Sequence, residues 1–125
     1  MIRKVFPLVI AVALALMAGA LFAQQKTVTI TGYLIDNACA ESAKDLDTKA
    51  KNHPTSCAKM DACEKSGYAV YADHKLYKLD EKGNASAEDL LSKTKATKGL
   101  HVTVEGTING DTINVTKLTE VTDSN

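Results

Sequence analysis

The stretch that decides the fold is Leu100 to Val121, LHVTVEGTINGDTINVTKLTEV. In its first half Leu100, Val102 and Val104 alternate with His101, Thr103 and Glu105. A period of two is the mark of a strand with one buried face. Asn109-Gly110 follows, the strongest short-range hairpin signal, because both residue types accept positive φ. In the second half Ile113, Val115 and Val121 point one way and Leu118 breaks the parity, so a bulge or an early strand end is expected there.

Moving toward the N-terminus, Ser86 followed three residues later by Asp89 reads as a capping box opening a helix through about Ala96, with Leu90 and Leu91 as its buried edge. Before it, YAVYA (68–72) and KLYKL (75–79) flank Asp73-His74 and predict a second hairpin. Thr27 to Ile35, TVTITGYLI, is β-branched and alternating. It reads as a strand whose Gly32 marks a bulge or sharp bend. Between it and Gly67 the chain turns polar and rich in Ala and Lys, with no β-branched run. That segment predicts a long insertion with helical turns. The order of strand, insertion, hairpin, helix and hairpin is that of an OB-like small barrel: five strands, with a helix between the third and fourth. A competing reading is an open α+β sheet, but closure of five strands removes exposed edges. The expected fold is mainly β, in a single domain over residues 24–125.

Residues 1–23 read differently. Arg3 and Lys4 precede an apolar run from Val5 to Met17, and small residues follow in Ala18-Gly19-Ala20 and Leu21-Phe22-Ala23. Together these make a secretory signal peptide, cut after Ala23 or, as second choice, after Ala20. The apolar run falls short of the roughly 20 residues a spanning helix needs, so no stable membrane span is expected after cleavage. The expected location is periplasmic or secreted, where disulfides persist. Without the leader, 13 basic residues face 15 acidic ones, so the expected domain is slightly acidic and too small for a large substrate cleft.

Segments TGYLIDNACA, NHPTSCAKMDACEKSGYAVYAD, KLYKLDEKGN and VTVEGTINGDTINV together resemble a family of small exported bacterial proteins. That family has an OB-like barrel and mostly no assigned function. The resemblance implies a fold and a location, and it transfers no catalytic residue.

The chemically unusual residues are Cys39, His53, Cys57 and Cys63, with Met60 the only other sulfur after residue 23. Three cysteines permit one disulfide and one remaining thiol, in three pairings. If Thr55 or Ser56 opens one helix running to Ser66, Cys57 and Cys63 stand about 9 Å apart along its axis, too far to bond. Cys39 would then pair with Cys57 or Cys63, a staple worth about 3 kcal/mol. The other reading is a metal site in which three thiolates and one imidazole meet the four-ligand demand of zinc, or soft sulfur selects Cu(I). Pro54 and the absence of a CxxC pair count against it, and without CxxC there is little case for redox chemistry.

Elsewhere the plain readings win. His74 and His101 read as surface residues and Asp36 as a cap for the insertion. Tyr33, Tyr68, Tyr71 and Tyr77 read as core or barrel rim. No Ser lies in a GxSxG context, so no enzyme is expected, and the acidic balance excludes a nucleic-acid footprint. The expectation is a monomeric, non-catalytic envelope module that binds a small ligand or an envelope protein. The alternative is a copper- or zinc-binding protein.

Overall fold

The structure, a computed structural model, describes residues 26–122. The signal peptide expected over residues 1–23 lies outside them. Five strands, β1 (Thr27–Asp36), β2 (Tyr68–Ala72), β3 (Lys75–Leu79), β4 (His101–Asn109) and β5 (Thr112–Glu120), form a ring in the order β1-β2-β3-β5-β4. All neighbouring pairs are antiparallel except β3–β5, where Lys78 and Leu79 run parallel to Thr112 and Ile113. Four short helices, α1 (Asn37–Ser42), α2 (Leu46–Asn52), α3 (Thr55–Ala58) and α4 (Asp61–Ser66), fill the insertion, and α5 (Glu81–Lys93) lies between β3 and β4. No helix among the described residues is long and apolar enough to cross a membrane.

β1 serves two partners, pairing with β4 through Tyr33 and with β2 from Tyr33 onward. Gly32 sits at this hand-over. A Cβ there would stand 2.2 Å from the Tyr71 carbonyl oxygen, so the glycine admits a close backbone approach. The bulge falls elsewhere, where the register slips between Glu105 and Gly106: Glu105 faces Lys117 and Gly106 faces Val115. Thr116 is therefore the extra residue, its hydroxyl donating to the Glu105 carbonyl at 3.0 Å. This shift restores Leu118 to the side that packs on the core.

Both hairpins form. Asp73 and His74 have φ of 49° and 62°, the left-handed pair that a type I′ turn needs even without glycine. In the last hairpin Asn109 pairs with Thr112, so the two turn residues are Gly110 and Asp111, one position later than the Asn-Gly reading. Gly110 has φ 66°, which is the type II′ arrangement with glycine first.

The helix after β3 begins five residues earlier than Ser86. Asp80 caps it, accepting from the Gly83 amide at 2.9 Å, and also accepts from the Val115 amide at 3.2 Å. Gly83 is tolerated because the first turn lies on the barrel: a Cβ there would meet Val115 Cγ2 at 2.6 Å. The single helix expected through Ser66 is also broken. Met60 is extended, with φ −65° and ψ 143°, and α4 restarts at Asp61, an acidic residue suited to a helix's first turn.

Two apolar clusters result. The barrel interior holds Leu34, Tyr68, Val70, Leu100, Val102, Val104, Ile113 and Val115, closed at one end by Leu91 and Ala87 of α5. A second, smaller cluster of Ile35, Ala40, Ala50 and Tyr71 lies between the insertion and the outer side of β1 and β2. β2 is consequently buried along its whole length. Tyr68 joins the layers by donating its hydroxyl to the buried Ala58 carbonyl at 2.7 Å. Tyr68→Phe leaves that carbonyl unpaired and is expected to cost about 1–2 kcal/mol, read as a lower urea midpoint. An unchanged midpoint would show that this bond does not hold α3 to the barrel.

Candidate functional site

The site begins at the last residue of β1. Asp36 has no exposed surface. Its Oδ2 accepts from the Cys39 amide at 2.9 Å, capping α1 as expected, and its Oδ1 lies 2.7 Å from His53 Nε2. His53 is only 3% exposed. With a carboxylate on Nε2, the imidazole proton sits there, and buried Nδ1 has no partner among the described residues. His53 is placed by backbone clamps, its carbonyl accepting from the Gly99 amide and its neighbour Thr55 donating to the Thr97 carbonyl.

Cys63, on α4, closes the cluster from the far side of the insertion. Asn37 Nδ2 donates to the Ser66 carbonyl at 2.8 Å and the Ala38 amide to Ser66 Oγ at 3.1 Å, locking α1 against α4. Cys39 and Cys63 come within 4.4 Å. Their sulfurs and an Asp36 carboxylate oxygen all lie within 4.8 Å of one another, a group that could hold a metal ion. All three cysteines are free thiols. Of the two partners left open for Cys39, the fold brings Cys63, while Cys57 stays outside this group of three. His53 reaches the cluster through Asp36.

The electrostatics are those of a carboxylate facing two thiols. Burial pushes Asp36 up, but the Cys39 amide and His53 outweigh it and hold the carboxyl below its ordinary value. Burial and the Asp36 charge push the Cys39 thiol up to about 11, and the same two causes raise Cys63. Both sulfurs are therefore protonated at neutral pH and weakly nucleophilic. A cation that displaces their protons would gain three anionic ligands at once.

A second concavity lies on the outer face. Tyr33 and His101, directly opposed on β1 and β4, stack with ring centroids 4.9 Å apart and planes 22° from parallel. Beside them opens a cleft of about 320 Å³, walled by Asp47 and Lys51 of α2 and by the β2–β3 turn with His74. Sequence reasoning placed Tyr33 in the core or at the barrel rim and His101 and His74 on the surface, and did not join them. It also read Asp36 only as a cap. The Asp36-x2-Cys39 spacing at a strand end was the available signal for more.

Comparison with family models, with curated proteins and with solved structures gives no match.

Proposed function

We propose that this chain is an exported, non-catalytic binding module of the bacterial envelope. Its ring is an OB-type barrel, and its ligand is a soft metal ion, Cu(I) or Zn(II), taken up by Cys39, Cys63 and Asp36. The observation that carries this reading is the convergence of two sulfurs and a buried carboxylate oxygen within 4.8 Å. The strand order closing β4 on β1, the parallel β3–β5 pair and the helix between β3 and β4 support the OB assignment.

Two metal–sulfur bonds of about 2.3 Å reach across about 4.6 Å when opposed. The separation of Cys39 and Cys63 thus suits one ion between two thiolates, and soft sulfur favours Cu(I). Zinc requires the sulfurs to close further, with Asp36 and water completing a tetrahedron. His53 orients the carboxylate from behind, as outer ligands do in metal sites. The same thiols, oxidised, would instead form the staple pinning the insertion.

Intact mass and metal content of the protein isolated from its own compartment test the reading. One bound ion with all thiols reduced is the expected result. A metal-free protein about 2 Da lighter than the reduced chain, whose reduced form takes up neither Cu(I) nor Zn(II), overturns it. In competition titrations Cys39→Ser and Cys63→Ser are expected to weaken Cu(I) binding by at least about 100-fold and His53→Ala by about 10–100-fold. Cys57→Ser should change it by less than about threefold. Equal loss on Cys57→Ser would move the ligand set to all three cysteines.

A further inference from the structure

The sulfurs that would hold the metal are also placed to bond to each other. We infer that Cys39 and Cys63 form a reversible redox switch: a disulfide oxidant joins the two sulfurs and so expels the metal, and a thiol reductant restores the site. This regulation presupposes the metal reading of the same site.

Cys39 of α1 and Cys63 of α4 come within 4.4 Å, whereas a disulfide sets its sulfurs about 2.05 Å apart. The gap to close is less than about 3 Å, the scale of a cysteine side chain turning between rotamers. The helices that carry the pair are short and are tied at Ser66, which accepts from Asn37 Nδ2 and from the Ala38 amide. α4 has six residues, entered through extended Met60 and left through Gly67 at φ 80°, so no helix runs through either end to resist a small rotation. Both thiols are half-buried and within reach of an external disulfide. A permanent staple is shielded from exchange, while accessible pairs are the labile and regulatory ones. Cys57 lies outside the group of Asp36, Cys39 and Cys63, which leaves one pairing and one thiol that stays free in both states.

Asp36 separates the two states. Its carboxylate lies against both sulfurs and opposes their ionisation, so a bare pair of thiolates is the unfavourable arrangement. A cation compensates that repulsion, and a disulfide removes it by carrying no charge.

The exchange balances with the oxidant alone. One cysteine thiolate attacks a sulfur of R–S–S–R, forms a mixed disulfide and expels one RS⁻. The second thiolate attacks the protein sulfur of that bond, closes Cys39–Cys63 and expels the other RS⁻. Two electrons pass from the protein sulfurs to the oxidant, and the two leaving thiolates take up protons from solvent. The metal keeps its oxidation state. It leaves because two of its three anionic ligands have become neutral sulfur and Asp36 alone remains.

The test uses the protein isolated from its own compartment, fully reduced and loaded with one equivalent of Cu(I). It is treated without oxygen with oxidised glutathione, and then with excess reduced glutathione. The expected product of the first step is about 2 Da lighter than the reduced chain, with Cys39 joined to Cys63 by peptide mapping and Cys57 still open to alkylation. Its Cu(I) affinity should fall at least about 100-fold and return after the second step and reloading. Cys39→Ser should stop at a mixed disulfide of Cys63 with glutathione. Cys57→Ser, which leaves the site intact, should switch as the wild type does and carries the test if Cys39→Ser fails to fold. Cu(I) retained by the oxidised pair, a disulfide that engages Cys57, or a Cys39–Cys63 bond that excess reduced glutathione leaves closed would each overturn the switch while the metal reading stands. A reduced protein that takes up no Cu(I) overturns both.

Discussion

Replacing Asp36 with Ala is expected to lower stability by about 3–5 kcal/mol, the loss of a buried carboxylate acceptor that leaves its donor unpaired, together with the loss of a helix cap. Three losses coincide. His53 keeps a buried Nε2–H with no acceptor, α1 loses the cap on the Cys39 amide, and the two thiols lose the group between their helices. For a domain of this size the thermal midpoint should fall by about 15 °C or more. Asp36→Asn retains an acceptor for the amide and is expected to lose roughly half as much. The acid limb separates charge from shape. Asp36 is held below its ordinary value of 3.8, so its contribution is complete above that pH and disappears as pH falls through the lower folded value. In urea titrations of the metal-free protein, Asp36→Asn should lack that part of the acid-induced loss. A variant as stable as wild type, with the same acid limb, would remove Asp36 from the support of the insertion.

Gly99→Ala is the second large effect, expected at about 2–4 kcal/mol. Gly99 has φ 58°, and a Cβ there would lie 2.2 Å from the Lys51 carbonyl oxygen, so the substitution combines left-handed strain with a backbone collision. The position is where the insertion is tied to β4. The Gly99 amide donates to the His53 carbonyl, the Thr55 amide to the Thr97 carbonyl, and Thr55 Oγ1 to the Ala96 carbonyl. Hydrogen exchange should therefore show the Thr55 and Gly99-site amides deprotected first, ahead of the barrel pairs Val102 and Val104. Uniform loss of protection across both would mean that the clamp and the barrel open as one unit.

How much of this was legible follows from the range of each interaction. The hairpins were legible because alternation, a turn and a returning strand lie within about ten residues, as in Tyr68 to Leu79. The turn details were less so, since Asn109-Gly110 and Gly110-Asp111 compete as central pairs and only the register decides. Helix starts failed where a cap also served the barrel: Asp80 bonds Val115 across 35 residues, a contact that no local window contains. In the insertion, Asp36 and Asp45 each cap a helix of seven residues or fewer, too short for any periodicity to stand out. The candidate site shows the same division. Cys39, His53 and Cys63 were visible as chemistry, but their meeting depends on α1 lying against α4 and on the break at Met60. Asp36, read only as a cap, became its central residue through that packing.

The pairing of β1 has a consequence for the order in which the chain can mature. Thr27 faces Thr107 and Tyr33 faces His101, so this strand meets β4 only after about seventy further residues have followed, although Tyr33 to Asp36 can pair with β2 sooner. Until then one long edge of β1 remains unpaired, and the barrel interior has no lid. Closure is a late event dominated by distant contacts, which are slow to form. A chain of this design is kept open simply by being incomplete.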